Sequence, residues 1–124
     1  MPARVVDASA LGAVLYGEFE GDRVANALGK GPLFAPTLLR YEMASVCRTK
    51  IRRHPERRTD LLAALGLLTR IDLQEVEVPP VEATELSERT GLTVYDAAYL
   101  WLARAIGAEL VTLDERLETA ARDR

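Results

Sequence analysis

A chain of 124 residues, 48% hydrophobic and 28% charged, suits one globular domain around a single core, expected to span residues 1–124. Its formal net charge of −3 excludes a general polycation, so a nucleic-acid partner would need a local basic patch or a metal. One cysteine, Cys47, excludes an internal disulfide, and one histidine, His54, excludes multi-histidine zinc sites.

The elements follow in chain order. Arg4 to Val6 is a short, buried strand, entered directly from Met1 with no signal-peptide pattern. Asp7-Ala8-Ser9 turns into a helix over Ala10 to Tyr16. Glu20 to Leu28 has apolar residues at helical spacing and is stopped by Gly29-Lys30-Gly31-Pro32. Leu33-Phe34-Ala35 is a second strand. Pro36-Thr37 opens a long helix to about Arg53, ended by His54-Pro55. A further helix runs from about Glu56 to Thr69, with Leu61, Leu62, Leu65 and Leu68 as its stripe.

Asp72 to Val78 alternates loosely and reads as a strand, broken by Pro79-Pro80. Val81 to Arg89 is a helix closed by Gly91. Val94 to Ile106 is the most apolar helix, stopped by Gly107. Glu109 to Leu113 is a strand, and Asp114 to Arg122 a last helix. No apolar run is long enough and free enough of charge to cross a bilayer, so the expected compartment is the cytoplasm. Strands alternating with helices predict an α/β fold with a parallel sheet covered on both faces.

Four carboxylates stand where a soluble chain seldom leaves them. Asp7 ends the first strand, where it serves either as a helix N-cap or as a ligand at the carboxyl end of a parallel strand. Glu42 lies among Leu38, Leu39, Ser45 and Val46 on a helix face expected to be buried, where an unpaired carboxylate is costly. Asp96 falls three residues after Thr93, in the form of a capping box that opens a nearly all-apolar helix. Asp114 follows the last strand and also suits a cap. Taken together, acids without basic neighbours repel one another unless a cation binds them. All-oxygen ligands favour Mg2+ or Mn2+ over zinc. The chemistry such a site serves is phosphodiester hydrolysis by an activated water.

Val5-Val6-Asp7-Ala8-Ser9, Tyr41-Glu42, Val94-Tyr95-Asp96-Ala97-Ala98-Tyr99 and Val111-Thr112-Leu113-Asp114-Glu115-Arg116-Leu117 together resemble the PIN domain, and more narrowly the short VapC-type toxins of toxin–antitoxin pairs. The resemblance covers essentially the whole chain. It implies a three-layer α/β/α sandwich with a central parallel sheet of four or five short strands, the family's last edge strand being the one in question after Arg122. It implies a Mg2+- or Mn2+-dependent endoribonuclease, usually a homodimer, held inactive by a cognate VapB-type antitoxin. The family's acidic quartet falls on Asp7, Glu42, Asp96 and Asp114, as catalytic residues and metal ligands. Its hydroxyls fall on Ser9 and Thr112, which would orient carboxylates or water.

Seven of the sixteen basic residues lie between Arg40 and Arg58, opposed there only by Glu42 and Glu56. They suit either a solvated helix end or an RNA phosphate surface, with Arg48, Arg52, Arg53 and Arg57 as the candidate contacts. Val94–Ile106 is apolar enough to offer a dimer face as well as core. Leu11, Val14, Leu15 and Phe19 are a candidate antitoxin groove. A housekeeping PIN nuclease for RNA maturation and a catalytically silent PIN-like module are the alternative readings. A phosphoacceptor receiver domain is excluded because neither Lys30 nor Lys50 falls on a late strand.

Overall fold

In a computed structural model, which describes residues 1–123, four strands form one parallel sheet. They are β1 (Arg4–Val6), β2 (Leu33–Pro36), β3 (Leu73–Val76) and β4 (Glu109–Val111), in the order β3-β2-β1-β4. All three pairings are parallel. The chain therefore steps outward from β1 to β2 to β3, then returns to the far side of β1 for β4. That reversal opens a topological switch point between β1 and β4, at whose carboxyl ends open α/β sheets place their sites.

Helices flank the sheet. α1 (Ala8–Leu15), α2 (Gly21–Leu28), α3 (Leu39–Arg53) and α4 (Arg58–Gly66) pack as one group. α5 (Pro80–Thr90), α6 (Val94–Ile106) and α7 (Glu115–Arg122) pack as another. Val5 and Val6 point to opposite faces of β1 and both are fully buried, which is why that strand reads as a continuous apolar run. Leu11, Leu39 and Met43 fill the core from the first group. Tyr99, Leu100 and Leu102 fill it from α6. Gly107 takes φ 65° as the left-handed cap of α6, turning the chain straight into β4.

Several boundaries differ from the sequence expectation. Pro36 extends β2 instead of opening a helix. It stands in register with Val76, and the Thr37 N–H donates to the Val76 carbonyl at 3.2 Å. Proline's fixed φ serves a strand end as well as a first helical turn, and α3 begins at Leu39. The single helix expected over Glu56–Thr69 is three pieces: a 3-10 turn at Pro55–Arg57, α4, and a second 3-10 turn at Leu67–Arg70. Leu61 and Leu68 are buried, Leu65 is half-buried and Leu62 is exposed. β4 stops at Val111, because Thr112 and Leu113 turn away to contact the end of β1.

The candidate antitoxin stripe is split in the same way. Leu11 belongs to the core, Val14 and Leu15 are half-buried, and Phe19 is 98% exposed. On α6, Tyr99 and Leu102 are core, Trp101 is half-buried and Tyr95 is exposed. No helix among the described residues is long and apolar enough to cross a membrane.

Candidate active site at the carboxyl ends of the strands

Asp7 leaves β1 as the N-cap of α1 and is buried, only 5% exposed. Its Oδ1 accepts from the Ala10 N–H at 2.9 Å and from the Ser9 hydroxyl at 2.7 Å. Its Oδ2 accepts from the Thr112 hydroxyl at 2.5 Å. Capping and site-building are thus one arrangement at this residue. Burial is the main influence on its carboxyl and raises its pKa. The Thr112, Ala10 and Ser9 hydrogen bonds pull it back, and the Asp114 charge raises it again.

The two hydroxyls tie the end of β1 to the end of β4. Ser9 Oγ accepts from the Leu113 N–H at 3.0 Å, and Thr112 Oγ1 accepts from the Asp114 N–H at 3.0 Å. The two hydroxyl oxygens lie 3.3 Å apart. Asp114 is exposed and caps α7, its Oδ1 accepting from the Leu117 N–H at 2.9 Å.

Glu42 comes from the first turn of α3 and is half-buried. The Tyr99 hydroxyl donates to its Oε1 at 2.6 Å, which joins α3 to α6 across the sheet end. Burial raises the Glu42 pKa, the Tyr99 bond lowers it, and the charges of Asp96 and Asp7 raise it further. Tyr99 is itself pushed well above the ordinary phenol range, first by burial and then by Glu42, so it stays a proton donor to that carboxylate. Asp96 lies in the first turn of α6, where Thr93 Oγ1 accepts from its backbone N–H at 3.0 Å. Its carboxyl is raised by burial, then by Asp114 and Asp7, and lowered by Thr93 and by the Arg116 guanidinium.

All four acids predicted from the sequence therefore act on one another as a single electrostatic cluster. Three of them are shifted toward the neutral form, first by burial and then by the charges of the other acids. Among the described residues, no three carboxylates are drawn in tightly enough to chelate an ion as they stand. The donor chemistry, all oxygen and net negative, fits a hard divalent cation.

Two residues of the site were not assigned to it from the sequence. Tyr99 was read as core, although it follows Asp96 by three residues and so shares its helix face. Arg116, two residues after Asp114, acts on Asp96 and donates through Nη2 to the Gly91 carbonyl at 2.8 Å. Nothing in its spacing announces that role.

The basic candidates lie apart from the acids. Arg48, Arg52, Arg53 and Arg57 are all exposed, and none forms an ion pair among the described residues. Glu42 is in the first turn of α3 and Arg53 in its last, about 16 Å along the axis at the helical rise per residue. Of their three basic neighbours, Arg40 pairs with Glu75 at 2.9 Å and Lys50 with Glu18, while Arg58 is exposed and forms no ion pair among the described residues.

The family model for the PIN domain matches residues 4–123. The chain is 31% identical over 118 residues to Ribonuclease VapC3 of Pyrobaculum aerophilum, covering 91% of this chain and 90% of that protein. The crystal structure of PAE2754 from Pyrobaculum aerophilum superposes with a TM-score of 0.76 at 27% identity, over 98% of this chain and 86% of that one. The Sarcin-Ricin loop cleaving toxin VapC20 of Mycobacterium tuberculosis shares the fold, with a TM-score of 0.67 at 16% identity over 94% of each chain.

Proposed function

Since the chain belongs to the PIN-domain family, among its VapC-type members, we propose that it is an endoribonuclease hydrolysing RNA phosphodiester bonds, the toxin of a VapBC-type module. The observation that supports this reading is the cluster itself: Asp7, Glu42, Asp96 and Asp114 lie near enough for their charges to act within one set, with the Arg116 guanidinium acting on Asp96. Mg2+ or Mn2+ is the proposed cofactor, held by Asp7, Glu42 and Asp96, with Asp114 acting through water. When bound, such a cation supplies an acidified water and positive charge beside the phosphate.

The chain's own groups prepare the site. Ser9, Thr112 and the Ala10 N–H hold Asp7 in one orientation. Tyr99 aims Glu42. The exposed arginines Arg48, Arg52, Arg53 and Arg57 are proposed to contact RNA phosphates. The whole of 1–124 is taken as one domain, working in the cytoplasm as a homodimer restrained by a VapB-type antitoxin.

The test is cleavage of structured and single-stranded RNA with Mn2+ and with EDTA, alongside calorimetric Mn2+ binding. The expected result is cleavage that EDTA abolishes, and loss of both cleavage and Mn2+ binding in folded Asp7→Asn and Asp96→Asn. Wild-type turnover in both variants would sink the reading.

A further inference from the structure

The chain has four tyrosines, and they divide into two kinds. Tyr16 and Tyr99 are buried, and their hydroxyls are bonded: Tyr16 donates to the Met43 carbonyl at 2.9 Å and Tyr99 to Glu42 at 2.6 Å. Tyr41 and Tyr95 are 82% and 63% exposed, and neither packs into the core. Each exposed tyrosine stands immediately before an acid of the cluster, Tyr41 before Glu42 and Tyr95 before Asp96.

The fold sets both rings at one end of the molecule. α3 leaves the carboxyl end of β2, and α6 runs back toward the start of β4, so both helices begin at the carboxyl ends of the strands. Tyr41 and Tyr95 lie in the first turns of these helices. Helical side chains lean toward the N-terminus, which tilts both rings out over that end. Tyr95 also precedes Tyr99 by one turn and so shares its face of α6. Tyr99 reaches Glu42, which puts Tyr95 on the side of α6 that meets α3. The two rings therefore flank the acids from two joined helices.

Charge decides what such rings can hold. The acids repel phosphates, and the exposed Arg53 lies at the far end of α3, about 16 Å along the axis from Glu42. Contacts to the RNA backbone beside the acids are thus unfavourable without a cation. An aromatic face attracts a base by stacking, which does not depend on the charge of the site. A second protein face laid over both rings would instead cover Glu42 and Asp96, which are still half-exposed, and deepen the cost of their burial.

We infer that Tyr41 and Tyr95 are base-stacking residues of the RNA site, each taking the face of an unpaired base near the scissile phosphate. The inference rests on the proposed nuclease reading and specifies its substrate: a segment whose bases are unstacked and splayed, as in a loop or a single strand. Stacking needs the ring and not the hydroxyl, so phenylalanine serves at either position.

The test maps the bond that the full chain cleaves with Mn2+, then uses a single-stranded RNA of about ten nucleotides spanning it, within the range one stacking platform covers. Tyr41→Ala and Tyr95→Ala should each lower kcat/KM by about 5- to 100-fold, the worth of one stacked base. Tyr41→Phe and Tyr95→Phe should cleave near the wild-type rate. Calorimetric Mn2+ binding and thermal melts should be unchanged in all four variants. Single abasic nucleotides are then placed in turn on either side of the mapped bond. At the stacked positions the wild type should fall to the rate of an alanine variant, and the alanine change should cost nothing further. Alanine variants that cleave intact RNA as the wild type does would overturn the inference and leave the nuclease reading standing. So would an alanine loss of the same size at every abasic position. A loss that follows dissociation of a dimer in sedimentation would assign the rings to a second copy, and would also overturn it. A wild type that cleaves no RNA with Mn2+ would overturn the nuclease reading and this inference together.

Discussion

The Thr112 hydroxyl sits 2.5 Å from Oδ2 of Asp7, across 105 residues of sequence. The same oxygen accepts the Asp114 N–H, so one threonine sets two acids of the cluster at once. Thr112→Val keeps the shape of the side chain and removes both bonds. Cleavage should fall by roughly 10- to 100-fold, the range for residues that orient ligands. Stability should drop by about 1–2 kcal/mol, since a half-buried carboxylate contact and a backbone N–H lose a partner. Urea melts and RNA cleavage measure the two effects, and wild-type values in both would show that the threonine does not orient Asp7.

Tyr99→Phe removes only the hydroxyl that donates to Glu42. The ring stays in the core, so the fold should survive with a loss of about 1 kcal/mol. Without the donor, the Glu42 pKa should rise further, and the acid limb of the pH–rate profile should move to higher pH. An unmoved limb would mean that Glu42 does not set it.

Stability of the metal-free protein should rise as pH falls. Asp7, Glu42 and Asp96 all have folded-state pKa values above their ordinary ones, so the folded state binds protons more readily than the unfolded state. The gain should begin as pH falls through those raised values and level off below the ordinary 3.8 of aspartate and 4.5 of glutamate. Asp96→Asn should flatten part of this dependence. Thermal melts across pH in EDTA provide the check, and a Tm that falls steadily on acidification through this window would contradict it. Saturating Mn2+ should reverse the trend near neutral pH, by about 2.7 kcal/mol at a hundredfold excess over Kd.

Charge reversal of Arg52, Arg53 and Arg57 should weaken RNA binding and flatten its salt dependence while leaving the melting curve nearly unchanged. All three side chains are exposed and unpaired among the described residues, so the fold does not depend on them. Equal affinity at low salt would place the RNA elsewhere on the surface.

Much of the fold was legible in the sequence, for identifiable reasons. The span Val94–Ile106 and its Gly107 stop were read without error, because a long apolar helix with a left-handed cap carries strong local signals. Pro36 was misassigned because proline fits a strand end and a helix start equally well, and only pairing with β3 decides between them. The helix over Glu56–Thr69 failed because leucine spacing does not distinguish α from 3-10 winding on a half-exposed segment.

What the sequence by itself determined about this protein is the identity of the acids and their places at element ends. An aspartate after a buried strand, or a glutamate on an apolar face, is visible from burial and capping chemistry alone. What only the tertiary structure decided is which groups meet them. The Thr112 bond to Asp7 and the Tyr99 bond to Glu42 join residues far apart in the chain, and Arg116 comes to Asp96 from a separate helix. The strand order β3-β2-β1-β4 brings these ends together, and strand order is set by long-range packing that no local pattern encodes.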